Sequence, residues 1–314
     1  MILTVTLNPA LDLTYTVDAL VPHTTHRVRS VAERAGGKGL NVARVLDAAG
    51  EPVLATGLLG GPTGAAVQTL AAAAGLPTAF VPIAAETRRT VSIVDGTDAT
   101  GLWEPGPLVS ADEWAGFVDR YADLLTVARV VTLSGSLPAG LPGDAYATLI
   151  RLARDRGVPA VLDTSGEPLR HGVAAGPDLI KPNADELAAL LGPRPGVAAI
   201  RGLLETGCRA VVVSRGHRGL LAVTGAGSWQ AAPPAAVTGN PTGAGDACVA
   251  ALARGLRDRT PWPELLADAV ALSAAAVAAP VAGAVDAEHY RAIRPHISVT
   301  PNDEGAPRDV QSHR

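Results

Sequence analysis

At 314 residues, 47% of them hydrophobic, the chain is long enough to bury a substantial core without crosslinks. Its formal net charge of -4, with lysines and arginines scattered among acids, excludes the basic stripe needed to follow a nucleic-acid backbone. Cys208 and Cys248 have neither CxxC spacing nor paired histidines nearby, which excludes a disulfide framework and a structural zinc site and points to a reducing cytoplasm.

The opening "MILTVTLNPALD" reads as a first strand, because it lacks the basic n-region and small-residue cleavage site of a signal peptide. "LDLTYTVDAL" and "HRVRSVAER" follow as strands that alternate apolar and polar residues with no helix between them. From about residue 35 the rhythm changes. Helical "GLNVARVLDAAG" precedes strand-like "PVLATGLLG", and helical "GAAVQTLAAAAG" precedes "PTAFVPI". "RRTVSIVDG" and "TGLWEPGP" then return to strand-like alternation. Further on, "RVVTLSGSLP", "PAVLDTSG", "DLIKPN" and "RAVVVSRG" are short Val/Ile/Leu runs ending in turn formers, separated by helical stretches such as "GDAYATLIRLARDRG" and "ADELAALLG". The run "AVALSAAAVAAPVAGAV", residues 269–285, is mostly alanine and broken by Pro280 and Gly283. It reads as a buried helix, since a membrane span needs ~20 strongly apolar residues. From residue 299 the chain is polar and is predicted to be disordered to residue 314.

Strand and helix alternating this often predict an α/β fold, a doubly wound and mostly parallel sheet with helices on both faces, in one domain over residues 1–298. Ligands in such a sheet bind beyond the carboxyl ends of the strands. The two helix-free regions, about 11–34 and 87–107, flank "GGKG" and predict a small β-strand lid over that edge, with a solvent-facing hairpin as the alternative. Lid strands with open edges also predict pairing between subunits in a homodimer.

"NPTGAGDACVAAL", residues 240–252, concentrates the chemistry. Gly243 and Gly245 allow close approach of a ligand, and the amides that open the following helix have no internal partner. An anion fits there, and Asp246 beside it can take a proton from an attacking hydroxyl. Read alone, the tetrapeptide favours Asp246 as a helix cap. Two nucleotide motifs are excluded. "AGGKGLN" lacks the Ser/Thr and upstream Gly of a Walker A loop, and "GAGDAC" lacks a leading strand and has Cys248 where a dinucleotide fold needs Gly or Ala.

In order and spacing, "TLNPALD", "AGGKGLNVAR", "SGSLPAG", "KPNADEL", "VSRGHRG" and "NPTGAGDACVAAL" resemble the PfkB or ribokinase family of carbohydrate kinases, from the first strand to about residue 293. "NPALD" further resembles the branch containing 1-phosphofructokinase and tagatose-6-phosphate kinase. The resemblance implies a ribokinase-like fold, ATP and Mg2+ as donor and cofactor, and a sugar or sugar phosphate as acceptor, with neither nucleic acid nor membrane as partner. It implies Asp246 as catalytic base, with the amides of Gly243, Ala244 and Gly245 as anion hole. Around the acceptor it implies Asp12, Gly37, Lys38 and Asn41, with Arg88 and Arg27 for an acceptor phosphate. Lys181, Asn183, Ser214, Gly216 and Gly219 fall on the nucleotide side, and the helix from about Ala267 to Ala279 over the adenine. Asn183 and Glu186 match the family's NxxE, which organises magnesium largely through water.

The bland readings stand beside these. Asn183 and Glu186 suit a helix start, Lys38 suits solvent, Arg215 suits either phosphates or solvent, and Asp163 suits a structural role. Thr90 stands where relatives usually have Asn, and Thr25 where some carry lysine. Arg27, Arg88 and Arg89 still leave enough positive charge for a phosphate, so a phosphorylated ketohexose is the leading acceptor, with an unphosphorylated sugar or a nucleoside as alternatives. A catalytically silent sugar-binding regulator and an NAD-dependent dehydrogenase are the rivals in other classes.

Overall fold

The structure, a computed structural model, describes residues 1–96 and 98–302. The chain opens with β1 (Ile2–Thr6), then β2 (Ala10–Thr16), β3 (Ser30–Gly36), α1 (Lys38–Ala48), β4 (Val53–Gly60), α2 (Gly61–Ala73) and β5 (Val81–Ile83). Next come β6 (Arg88–Val94), β7 (Ala99–Trp103), α3 (Ala111–Leu124), β8 (Val130–Ser134), α4 (Ala145–Asp155), β9 (Ala160–Asp163) and α5 (Gly166–Ala174). The remainder is β10 (Leu179–Ile180), α6 (Ala184–Leu191), α7 (Val197–Glu205), β11 (Ala210–Ser214), β12 (Leu220–Thr224), β13 (Gly227–Ala231), α8 (Ala244–Asp258), α9 (Trp262–Ala278), α10 (Ala287–Ile293) and β14 (Val299–Pro301).

Ten strands form the main sheet in the order β14-β13-β12-β11-β10-β9-β8-β1-β4-β5. Strands β11 through β5 in that order are parallel. Successive residues of a strand point to opposite faces, so one strand feeds two cores. In β11, Ala210 and Val212 join the core built with α1, α2, α8 and α9, whereas Val211 and Val213 join the core built with α3, α4 and α7. Alanine and glycine let helices approach closely. A methyl group on Gly255 of α8 would lie 2.2 Å from Leu265 Cδ1 of α9, so that crossing has no room for a larger residue.

Strands β12, β13 and β14 extend the sheet antiparallel, so the sheet is mostly parallel, as expected. One sequence expectation changes here. Val299–Pro301, expected in a disordered tail, form β14 instead, pairing with Trp229, Gln230 and Ala231, because the edge of β13 offers unpaired backbone groups. Residues 303–314 of that expected tail lie outside the described residues. The alanine-rich run ends its helix at Ala278, and no described helix is long and apolar enough to cross a membrane. Cys208 and Cys248 are buried and free.

The lid is a separate sheet in the order β3-β2-β6-β7. It occupies the two predicted helix-free regions and stands where β1 leaves the main sheet: Thr6 ends β1 and Ala10 starts β2. Strand β1 lies between β8 and β4 in the main sheet, so the chain reverses direction of growth there, the usual place for a ligand crevice.

Candidate active site

Asp246 sits in the first turn of α8 and is 6% exposed. Gly243, the residue before the helix, has a left-handed φ of 91°, and a methyl there would lie 2.9 Å from Ala282 Cα, so glycine is required twice over. The amides of Gly243, Gly245 and Asp246 have no hydrogen-bond partner among the described residues, whereas that of Ala244 donates to the Pro241 carbonyl at 3.3 Å. The unpartnered amides at the start of α8 are thus those of Gly243, Gly245 and Asp246, with Ala244 turned partly away. Asp246 does not cap its own helix. Its carboxylate accepts from Asn41 Nδ2 of α1 at 2.9 Å.

Burial pushes the Asp246 carboxyl up to about 7, reinforced by the charge of Asp163 and opposed by Asn41, Lys38 and Lys181. That is the protonation range in which a carboxylate works as a general base near neutral pH.

Behind the start of α8 lies a charge cluster at the carboxyl ends of β9 and β10. Asp163, 1% exposed, pairs with Lys38 at 3.2 Å and with Lys181 at 3.1 Å. Burial opposes the charge on Asp163, but the two lysines outweigh it and hold the carboxyl below its usual range. Lys181 is likewise held above its ordinary value: burial works against the ammonium, and Asp163 prevails. Its Nζ would lie 3.6 Å from a methyl built on Gly245, which puts a buried cation beside the start of α8. Lys38 is thus engaged and not merely solvated, and Asp163 is the hub of the cluster.

Asn183 and Glu186 form a reciprocal capping box on α6, with each side chain 2.8 Å from the other's backbone nitrogen. Each spends one oxygen on the cap, and Glu186 keeps its second. Asn183 bridges to Ser214 at the end of β11, so the "KPN" and "VSRG" loops lie side by side. Gly219 has a φ of 72°, and a methyl there would fall 2.0 Å from the Ala231 carbonyl oxygen. Gly216 opens the short turn before it. Arg215 folds back to the Leu220 carbonyl and Gln230, both at 3.4 Å.

On the lid side, Asp12 of β2 faces this crevice. The Thr90 hydroxyl of β6 donates to its carboxylate. Burial raises the Asp12 carboxyl, against the Thr90 bond and the charges of Arg44, Arg88 and Arg34. Arg88 directs Nε and Nη2 to the Asn8 carbonyl at 3.3 and 3.2 Å. Gly37 precedes α1 with a φ of 117°, and a methyl there would lie 2.7 Å from the Thr6 side chain. Arg27 is exposed in the connection between β2 and β3 and makes no hydrogen bond or ion pair among the described residues. It is not drawn into the site.

A model of the pfkB family of carbohydrate kinases matches residues 5–288. This chain belongs to the pfkB carbohydrate kinase family. Among solved structures, phosphofructokinase-2 from Escherichia coli in complex with potassium is 28% identical with a TM-score of 0.88, covering 94% of this chain and 98% of that one. The same enzyme in complex with fructose-6-phosphate gives 28% identity, a TM-score of 0.86 and coverage of 94% and 98%. A Thermotoga maritima protein described as a "possible 1-phosphofructokinase" is 27% identical with a TM-score of 0.87, covering 96% of this chain and 99% of that one. The family match sets the dehydrogenase reading aside.

Three residues of this kinase's crevice carry no role assigned from sequence, although Asn8 stands within "NPALD" and Arg44 within "AGGKGLNVAR". Asn8, between β1 and β2, is 6% exposed, holds Arg88 through its carbonyl and donates from Nδ2 to Ser136 at 3.1 Å. Arg44, one turn below Asn41 on α1, donates to Asn41 Oδ1 at 3.0 Å and to the Ala35 carbonyl. Arg34 faces Asp12 across the β2–β3 pair. For Arg44 the signal was its spacing of three from Asn41. For Arg34 it was the alternation along β3, but only the strand register tells which face that alternation selects.

Proposed function

We propose that this kinase transfers the γ-phosphoryl group of ATP to a hydroxyl of a phosphorylated ketohexose, in the manner of a 1-phosphofructokinase or tagatose-6-phosphate kinase. The observation that carries this reading is the pairing of buried Asp246 with Asn41 beside unpartnered helix-opening amides, under a lid whose inner face holds Asp12 among arginines. In-line phosphoryl transfer needs an oriented hydroxyl, a proton acceptor and compensation of the charge on the moving group. Asp246 takes the hydroxyl proton. Asn41 fixes the carboxylate and, with Asp12, hydrogen-bonds the acceptor. The amides of Gly243 and Gly245, backed by Lys181 and Lys38, face the developing charge.

The donor lies along the loops that carry Asn183, Ser214, Gly216 and Gly219. Magnesium suits this donor set in one way. A hard ion that keeps most of its water needs only one or two carboxylate oxygens besides the nucleotide phosphates, and the second oxygen of Glu186 is free of the capping box. When bound, the ion neutralises charge on the nucleotide phosphates. No cluster of three His, Cys, Asp or Glu exists among the described residues, which fits an ion brought in with the nucleotide and not one caged by protein.

Exposed Val31 and Leu102 on the open lid sheet support the homodimer through the lid strands; a monomeric mass in light scattering at micromolar protein would count against it.

An ADP-release screen of fructose 1-phosphate, tagatose 6-phosphate, fructose 6-phosphate, free ketoses and nucleosides tests the reading, with Asp246→Asn as the blank. A phosphoketose should be the best acceptor, and the variant should bind ATP and sugar while turning over about 100- to 10,000-fold more slowly. A free ketose or nucleoside as best acceptor, or near-normal turnover by the variant, would refute it. ATP and sugar binding without ADP release by the wild type would point to the silent regulator.

A further inference from the structure

Three guanidinium groups crowd one carboxylate on the lid's inner face: Arg34, Arg44 and Arg88 all act on Asp12. Their commitments differ. Arg44 is tied at both ends of its fork, to Asn41 and to the Ala35 carbonyl. Arg88 spends two donors on the Asn8 carbonyl. Arg34 is half-buried and makes no hydrogen bond and no ion pair among the described residues.

Its direction is fixed by register. Asp12 stands directly opposite Arg34 in the antiparallel β2–β3 pair and directly opposite Thr90 in the parallel β2–β6 pair, so the three side chains form one row on one face. Side chains so paired lie about 4.5–5.5 Å apart at Cβ. Glu33, the adjacent acid that could otherwise satisfy Arg34, pairs with Leu13 and points to the other face. The patch therefore carries three positive charges against one negative, and one guanidinium keeps all its donors. Arg34 draws on the charge of Asp12 without a hydrogen bond to it, so its guanidinium donors stay available to an arriving anion.

We propose that Arg34, together with Arg88, binds the phosphate already present on the acceptor and is the residue by which this kinase selects a phosphorylated ketose. The inference rests on the acceptor class given under Proposed function. It assigns to Arg34 the role that the sequence pattern gave to Arg27, which stays outside the crevice.

The test compares wild type with Arg34→Ala and Arg34→Lys, measuring kcat and KM for the phosphoketose that the wild type turns over best, and KM for ATP. For Arg34→Ala, KM for the phosphoketose should rise by about 10-fold or more, as loss of a charge-assisted contact requires. Its kcat should stay within about 3-fold and KM for ATP should not move, because the contact is the same in ground and transition states. Arg34→Lys should recover part of the affinity, and the KM of wild type should depend more steeply on salt than that of Arg34→Ala. An unchanged phosphoketose KM in Arg34→Ala would overturn the role of Arg34 while leaving the acceptor class intact. So would a parallel fall in kcat and in both affinities with a lowered melting temperature, which marks a purely structural arginine. A wild type that phosphorylates only unphosphorylated acceptors would overturn both readings.

Discussion

The Asn41 side-chain amide donates to the Asp246 carboxylate at 2.9 Å, joining α1 to α8 across 205 positions of sequence. The bond favours the ionised carboxylate, whereas burial and Asp163 favour the protonated one, and the balance leaves Asp246 at about 7. As the proposed general base Asp246 must be ionised, so kcat/KM should fall on the acid side with a midpoint near 7. Asn41→Ala removes a force that lowers the pKa. Its acid limb should therefore move to higher pH, beyond any loss of acceptor affinity, and a pH–rate profile checks the direction.

The same shift has a consequence for stability. Asp246 is raised in the folded state from 3.8 to about 7, so the fold favours its protonated form. The ionised carboxylate costs nothing below pH 4, and its cost grows as pH rises to about 7 and is complete above it. Each unit is worth about 1.4 kcal/mol, so Asp246→Asn should stabilise the protein by a few kcal/mol at pH 8 and by only about 1 kcal/mol at pH 4.5. Calorimetric melts at the two pH values test this, and an equal effect at both would contradict it.

Asp163 should be far less tolerant. Replacing it with Asn leaves Lys181, 4% exposed, without the carboxylate that holds its charge. Stripping one partner from a buried ion pair costs about 3–5 kcal/mol. Urea unfolding of Asp163→Asn should show a loss of that size with an unchanged m-value.

Glu186 separates capping from catalysis. Glu186→Gln keeps an oxygen to accept the Asn183 amide at the position now bonded at 2.8 Å, but removes the charge. It should melt within a degree or two of wild type, a shift of well under 1 kcal/mol, while requiring more Mg2+ for half-maximal rate. Glu186→Ala loses both roles and should lower melting temperature and Mg2+ response together. If Glu186→Gln leaves the Mg2+ titration unmoved, the carboxylate serves the helix alone.

What could be read from sequence follows the range of the interactions concerned. The left-handed turn at Gly243 and the capping pair Asn183 and Glu186 are set within one turn of helix, so their residue types announce them. The parallel part of the sheet was equally legible, since each Val-rich strand is buried on both faces. The bond between Asn41 and Asp246, the double pairing of Asp163 and the row of Arg34, Asp12 and Thr90 depend on which strands lie adjacent and in what register. No local pattern carries that information. β14 was missed for a related reason: three ordinary residues became a strand only because β13 left an edge open.

The lid joins the body of the molecule at residues 7–9, 37, 84–87 and 104–110. A plate mounted on four such stubs cannot swing like a flap on a tether. Any movement of it has to be shared among the four connections. Gly37 is the shortest of them, with Lys38 immediately beyond it and Asn41 one turn further. In the proposed mechanism, a tilt of the plate on binding the acceptor would reach Asn41, the residue bonded to Asp246, so that filling the site and aiming the base would be one mechanical event.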